Sequence, residues 1–202
     1  MIALVDYGAG NLTSVRKGFA AAGAEMYTPS SPADLERASA IVVPGVGHFG
    51  ATAALAGDWR RKILSAVNSG VPLLGVCLGL QWLFERSDEA PEMEGLGLLA
   101  GTCRRLSPTL KVPHVGWNSL AFTRTSPLLD GVTDGAQVYF THSYAAPVTD
   151  ATVATTTHSD TFASIVGRDH VFGVQFHPEK SGPAGIRILR NFVAIAACCR
   201  NA

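Results

Sequence analysis

The five residues Gly75-Val76-Cys77-Leu78-Gly79 follow the apolar run Val71-Pro72-Leu73-Leu74 and lead into Leu80-Gln81-Trp82-Leu83-Phe84-Glu85. This order predicts a buried strand, a glycine-flanked cysteine and then a helix. So tight a turn lifts one side chain above the end of a sheet. Glycines two residues away on either side leave room for its strained backbone. At a helix N-terminus the peptide dipole and unpaired N–H groups favour an anionic sulfur. The motif alone fits a reactive cysteine and a buried structural cysteine equally well.

The chain before this turn alternates between strand and helix patterns. Ile2 to Val5 reads as a short strand. Gly8-Ala9-Gly10 turns the chain, and Asn11 is placed to cap a helix along which Leu12, Val15, Phe19 and Ala22 recur. Ala24 to Thr28 is a weak strand, Ser31-Pro32 opens a short helix, and Ala40 to Val43 is a buried strand stopped by Pro44. Asp58 is expected to cap a helix that turns Trp59, Ile63, Ala66 and Val67 inward. Such alternation predicts an α/β fold, an open, mostly parallel twisted sheet with helices on both faces.

Pro, Gly and acidic residues from Ser87 to Gly97 mark a surface loop. Strand-like segments then follow without long helices: Leu98 to Leu106, Trp117 to Thr123, Gln137 to Ala146, Thr152 to Thr157, and Val171 to Phe176. They predict antiparallel additions to the sheet. A last helix, from about Ala184 to Cys199, is expected to bury Ile186, Leu189, Val193 and Ala196 or Ala197.

The 202 residues suit one α/β domain spanning 1–202. Sixteen basic and sixteen acidic residues cancel, which argues against nucleic-acid binding through a large cationic face. No apolar run approaches the roughly 20 residues needed to span a bilayer. The N-terminus reads as a first strand rather than a targeting segment. Cys77, Cys103, Cys198 and Cys199 form no disulfide framework, so a cytoplasmic compartment is expected.

A cysteine nucleophile needs a base, and the base needs an orienter. His177, in Gln175-Phe176-His177-Pro178-Glu179-Lys180, lies just past a strand predicted to be central. Residues two apart in an extended segment share a face, so His177 and Glu179 can address one cleft. Pro178 should end the strand there, at the carboxyl edge where open parallel sheets bind ligands. With Cys77 they make a candidate Cys–His–Glu triad. His142 is either a pocket residue or a satisfied strand histidine. His48, His114, His158 and His170 are expected at the surface or behind the site, and Trp117 in the core. No cysteine–histidine spacing resembles a zinc site.

Pro44-Gly45-Val46-Gly47-His48-Phe49-Gly50 matches a dinucleotide-binding glycine pattern. However, no acidic residue stands at the end of the following strand, where such a site needs one. A glycine strand beside Cys77 fits an oxyanion hole better, with Val46 N–H and Leu78 N–H as donors.

These segments together resemble the class I (triad) glutamine amidotransferases. The likeness is greatest to the glutaminase subunits of imidazole glycerol phosphate synthase, through Pro44 to Gly50, Gly116-Trp117-Asn118 and Lys180-Ser181-Gly182. The resemblance implies that Cys77, His177 and Glu179 hydrolyse L-glutamine to glutamate and ammonia. It implies Gly47, Gln81, Ser143 and Tyr144 as substrate contacts. It also implies a separate (β/α)8 cyclase subunit as heterodimer partner, met near Asn11 and Lys180, and no metal or organic cofactor. Another biosynthetic amidotransferase subunit, or a cysteine hydrolase on a related elbow fold, is the alternative.

Overall fold

A computed structural model describes residues 1–199 of the chain. Its first half runs β1 (Ile2–Leu4), α1 (Leu12–Ala21), β2 (Met26–Tyr27), β3 (Ala40–Val43), α2 (Asp58–Asn68), β4 (Leu73–Val76) and α3 (Leu78–Leu83). The second half contributes β5 (Phe84–Ser87), β6 (Leu99–Arg105), β7 (His114–Ser119), β8 (Ala121–Phe122), β9 (Gln137–His142) and β10 (Tyr144–Ala145). It ends with β11 (Thr152–Thr157), β12 (Thr161–Arg168), β13 (Val171–Val174) and α4 (Gly182–Cys198). An eight-stranded sheet has the order β2-β1-β3-β4-β13-β12-β11-β8. Its first five strands are parallel, and β12, β11 and β8 pair antiparallel beyond them. This is the mixed α/β architecture expected from the sequence.

Alternation along each central strand divides the interior into two cores, because successive side chains leave a strand on opposite faces. Ile2, Leu4, Ala40, Val42, Leu74 and Val76 face one way and meet Val15 and Phe19 of α1 and Ile188, Leu189 and Phe192 of α4. Ala3, Ile41, Val43 and Leu73 face the other way and meet Ile63 and Val67 of α2 and Leu80, Trp82 and Leu83 of α3. With both faces covered, β4 and β13 lie centrally and their carboxyl ends open toward one cleft.

Several boundaries differ from the sequence reading for identifiable reasons. Helix α3 stops at Leu83, and Phe84 and Glu85 begin a strand. The returning segment takes the carbonyls that end the helix: Leu96 N–H donates to Trp82 O at 2.6 Å and Leu98 N–H to Leu83 O at 3.0 Å. Asp58 is the first residue of α2 rather than its cap; Gly57, at φ 61°, holds the cap position, and Asp58 pairs with Arg61 instead. Strand β7 starts three residues before Trp117, at His114. Helix α4 buries Gly185, Ile188, Leu189, Phe192 and Ala196, a face rotated from the expected one, leaving Ile186 and Val193 only partly buried. The larger Phe192 fills the space between Phe19 and Phe172. The sequence pattern does not mark strand β12, which pairs with β11 and β13 along most of its length. Among the described residues no helix is long and apolar enough to cross a membrane.

Candidate active site

Cys77 sits between β4 and α3 at φ 54°, ψ −107°, one of two non-glycine residues with positive φ among those described. Left-handed backbone costs an ordinary residue free energy and persists only where its surroundings impose it. Here the imposition is visible. Cys77 N–H donates to Val174 O of β13 at 2.8 Å, and its carbonyl accepts Gln81 N–H at 3.2 Å. A β-carbon on Gly79 would run into the Val43 carbonyl, and one on Gly75 would run into Gly79. The flanking glycines therefore make the room expected of them.

His177 follows β13 and caps the short 3-10 turn Pro178–Lys180. That turn, rather than simple strand alternation, brings Glu179 back, and His177 Nδ1 meets Glu179 Oε1 at 2.9 Å with both side chains 3% exposed. Neighbouring elements pin the pair. His177 N–H donates to Tyr139 O at 2.9 Å, and the Ser181 hydroxyl donates to His177 O at 2.6 Å while accepting Tyr139 N–H at 2.9 Å. Gly18 of α1 leaves the space that the Glu179 side chain enters.

His177 Nε2 is buried without a hydrogen bond of ordinary geometry. Burial pushes the imidazolium down, but the adjacent Cys77 sulfur and the Glu179 carboxylate outweigh it and hold the group up at about 9. A carboxylate on Nδ1 fixes the ring so that Nε2 carries the exchangeable proton. The arrangement can thus hold a proton at Nε2 near neutral pH, beside a sulfur.

A cavity of about 290 Å³ opens over Cys77, within the range of a small amino-acid ligand. Its lining includes Gly47, Leu78, Gln81, His142, Ser143 and Tyr144, so all four sequence-predicted substrate contacts converge there. Two further residues were not anticipated. Glu89 reaches the cavity from the Ser87 to Gly97 loop, where its carboxylate accepts Phe49 N–H at 2.7 Å. Gln175 is fully buried, accepts from Gln81 Nε2 at 3.1 Å and directs its own Nε2 to Cys77 Sγ at 3.6 Å. Gln175 stands two residues before His177, just past the end of β13.

The Gly45–Val46 segment lies beside α3, but Leu78 N–H donates to Gly45 O at 3.3 Å. Val46 is 40% exposed rather than packed. Asn11 caps α1 by accepting Ser14 N–H at 3.0 Å, and both Asn11 and Lys180 are exposed. Trp117, expected in the core, is 57% exposed, because alternate residues of β7 face outward. His114, expected at the surface or behind the site, takes the second place, buried among Phe140, His142 and Phe162.

Comparison with known proteins agrees with this geometry. The family model described as glutamine amidotransferase class-I matches residues 3–196. The imidazole glycerol phosphate synthase subunit HisH of Methanothermobacter thermautotrophicus is 45% identical over 96% of this chain and 98% of its own. Its namesake from Halobacterium salinarum is 47% identical over 97% of this chain and 94% of its own. A solved structure titled as a glutamine amidotransferase superposes with a TM-score of 0.77 at 20% identity, covering 98% of this chain and all of the other, which shows the shared fold. With the family model spanning the sheet, the elbow and the His177–Glu179 turn, the chain belongs to the class I glutamine amidotransferases.

Proposed function

We propose that this chain is the glutaminase subunit of an imidazole glycerol phosphate synthase. The observation that carries the reading is the buried 2.9 Å pair of His177 and Glu179 beside a strained Cys77 at the floor of an amino-acid-sized cavity. The nearly full-length relatives named as that subunit support the choice of synthase.

In this reading L-glutamine lies with its side-chain amide over Cys77. Glu89 is the carboxylate in the cavity wall that complements the ligand's α-ammonium group, and Gln81, Ser143 and Tyr144 hold the rest. The Cys77 thiolate attacks the amide carbon, and the C–N bond breaks as His177 Nε2 gives its proton to the departing nitrogen. Ammonia leaves. His177, now neutral, takes a proton from water, and the resulting hydroxide attacks the glutamyl thioester. Glutamate departs, thiolate is regenerated, and His177 carries its proton again. Glu179 holds the imidazole tautomer throughout.

The ammonia passes to a cyclase subunit of (β/α)8 type, forming a heterodimer. Trp117 lies edge-on to the Tyr139 ring, which also carries Lys180, and with Val115 on the same outward face of β7 it offers the partner an exposed apolar surface. Asn11 and Lys180 belong to that proposed contact. Mixing the chain with the cyclase subunit and supplying glutamine tests the reading. Glutamine-dependent product formation is expected, and its absence with an active cyclase fed on ammonia would refute it.

A further inference from the structure

Three side chains that the proposed chemistry does not use form a line running back from the cavity wall. His142 Nδ1 lies 2.9 Å from Tyr144 O, His142 Nε2 lies 3.1 Å from His114 Nδ1, and His114 Nε2 lies 3.3 Å from Asn118 Nδ2. Both rings are buried, at 6% and 4% exposure. His114 is held flat between Phe140 and His158, with ring centroids 4.8 and 4.3 Å away.

The two ends of this line fix every proton in it. Tyr144 O can only accept, so His142 Nδ1 carries a hydrogen. Asn118 is oriented by donating to Thr157 O at 3.0 Å while its Oδ1 accepts Ser119 N–H at 2.8 Å, so it presents N–H to His114. His114 Nε2 is then the acceptor, His114 Nδ1 the donor, and His142 Nε2 the acceptor. A second proton on either ring would set donor against donor. Burial and the neighbouring His158 agree, holding His114 down at about 4; burial dominates at His142 and holds it down at about 3.

The line ends on an atom that matters to the site. Tyr144 O also accepts Gln81 Nε2 at 2.8 Å, so both its lone pairs are engaged. Gln81 continues to Gln175, and Gln175 to Cys77 Sγ. At its other end, Asn118 stands on β7 next to the exposed Trp117.

We propose that His114 and His142 are positioning residues, a tautomer-locked relay that holds the Ser143–Tyr144 wall and Gln81 in register for glutamine. The proposal rests on the functional reading above. It acts on substrate binding rather than on bond breaking, because neither ring touches the reacting atoms in that reading. Losing the His114 donor leaves His142 Nε2 a buried, unpaired acceptor and loosens the ring that anchors Tyr144 O. One such lost hydrogen bond corresponds to about tenfold in affinity.

Two measurements test it. Nitrogen-15 NMR of the native chain should find both rings protonated at Nδ1 and bare at Nε2; an Nε2–H on either ring overturns the relay. Steady-state glutaminase kinetics of the chain with its cyclase partner should show His114→Phe, which keeps the ring stack, raising KM for glutamine about tenfold with little change in kcat. His114→Asn, which keeps a donor near the Nδ1 position, should recover most of the loss. Wild-type turnover with an unchanged KM in His114→Phe overturns the positioning role alone. A wild-type complex that consumes no glutamine removes the functional reading instead. Should His114→Phe not fold, the NMR measurement still decides the relay.

Discussion

The carbonyl of Gly45 accepts the N–H of Leu78, at 3.3 Å. That N–H is the donor the elbow would offer to the oxyanion formed above Cys77, so in this conformation the proposed hole is closed. The Gly45 α-carbon lies under the Tyr7 hydroxyl, which is buried and has no hydrogen-bond partner among the described residues. Opening the hole requires the Gly45–Val46 peptide to rotate. Gly45 and Gly47 flank it, and Gly47 already has φ 102°.

The first prediction follows from that closed state. The isolated chain should be a poor glutaminase, and saturation with the cyclase partner should raise turnover on the order of 10²-fold or more, the usual worth of an oxyanion donor. Steady-state glutamate release from the free chain and from the complex measures it. Equal rates would show that the Gly45–Leu78 contact does not limit turnover.

A second prediction concerns pH. His177 is raised from 6.5 to about 9, so it keeps its proton through neutral pH and loses it as pH rises through about 9. Departing ammonia needs that proton, and kcat/KM for glutamine should therefore fall above pH 9. The same proton contributes folding stability in full below pH 6.5, and that contribution disappears between 6.5 and 9. Glu179→Gln removes one of the groups that hold the proton, so the alkaline limb should move to lower pH. A pH–rate profile with the same limb in Glu179→Gln as in wild type would separate Glu179 from the site.

The elbow supplies a third prediction. A methyl group on Gly79 would meet the Val43 carbonyl, which belongs to a central strand and has no room to move away. Gly79→Ala should lower the melting temperature on the order of 5 °C or more, the expected effect of overpacking in a chain this long. An unchanged melting curve would mean that the β4–α3 turn is looser than its contacts suggest.

Parts of this molecule were legible because one local rule decides them. Gly75 and Gly79 mark the elbow, since no other side chain fits against Gly79 O and Val43 O. The expected strand Thr152 to Thr157 keeps its ends in β11 because turns bound it on both sides. Strand β12 escaped because it is buried on both faces with Ser164 at its centre, so it shows no alternation. Helix α4 is apolar on most of its circumference, and only packing against Phe19 and Phe172 chooses Phe192 over Val193. Glu89 and Ser181 gain their places from contacts 40 and 42 residues away in sequence, to Phe49 and Tyr139. No periodicity reports such contacts.

The central claim is that Cys77 is the nucleophile of glutamine hydrolysis and that the ammonia it releases feeds a separate active site. The most direct measurement compares Cys77→Ala with wild type in the assembled synthase, once with glutamine and once with ammonium salt. Loss of a covalent nucleophile should lower glutamine-dependent synthesis by several orders of magnitude. Synthesis from ammonia should continue at the wild-type rate, because the partner's site is untouched. Glutamine-dependent synthesis that survives in a clean Cys77→Ala preparation would contradict the account.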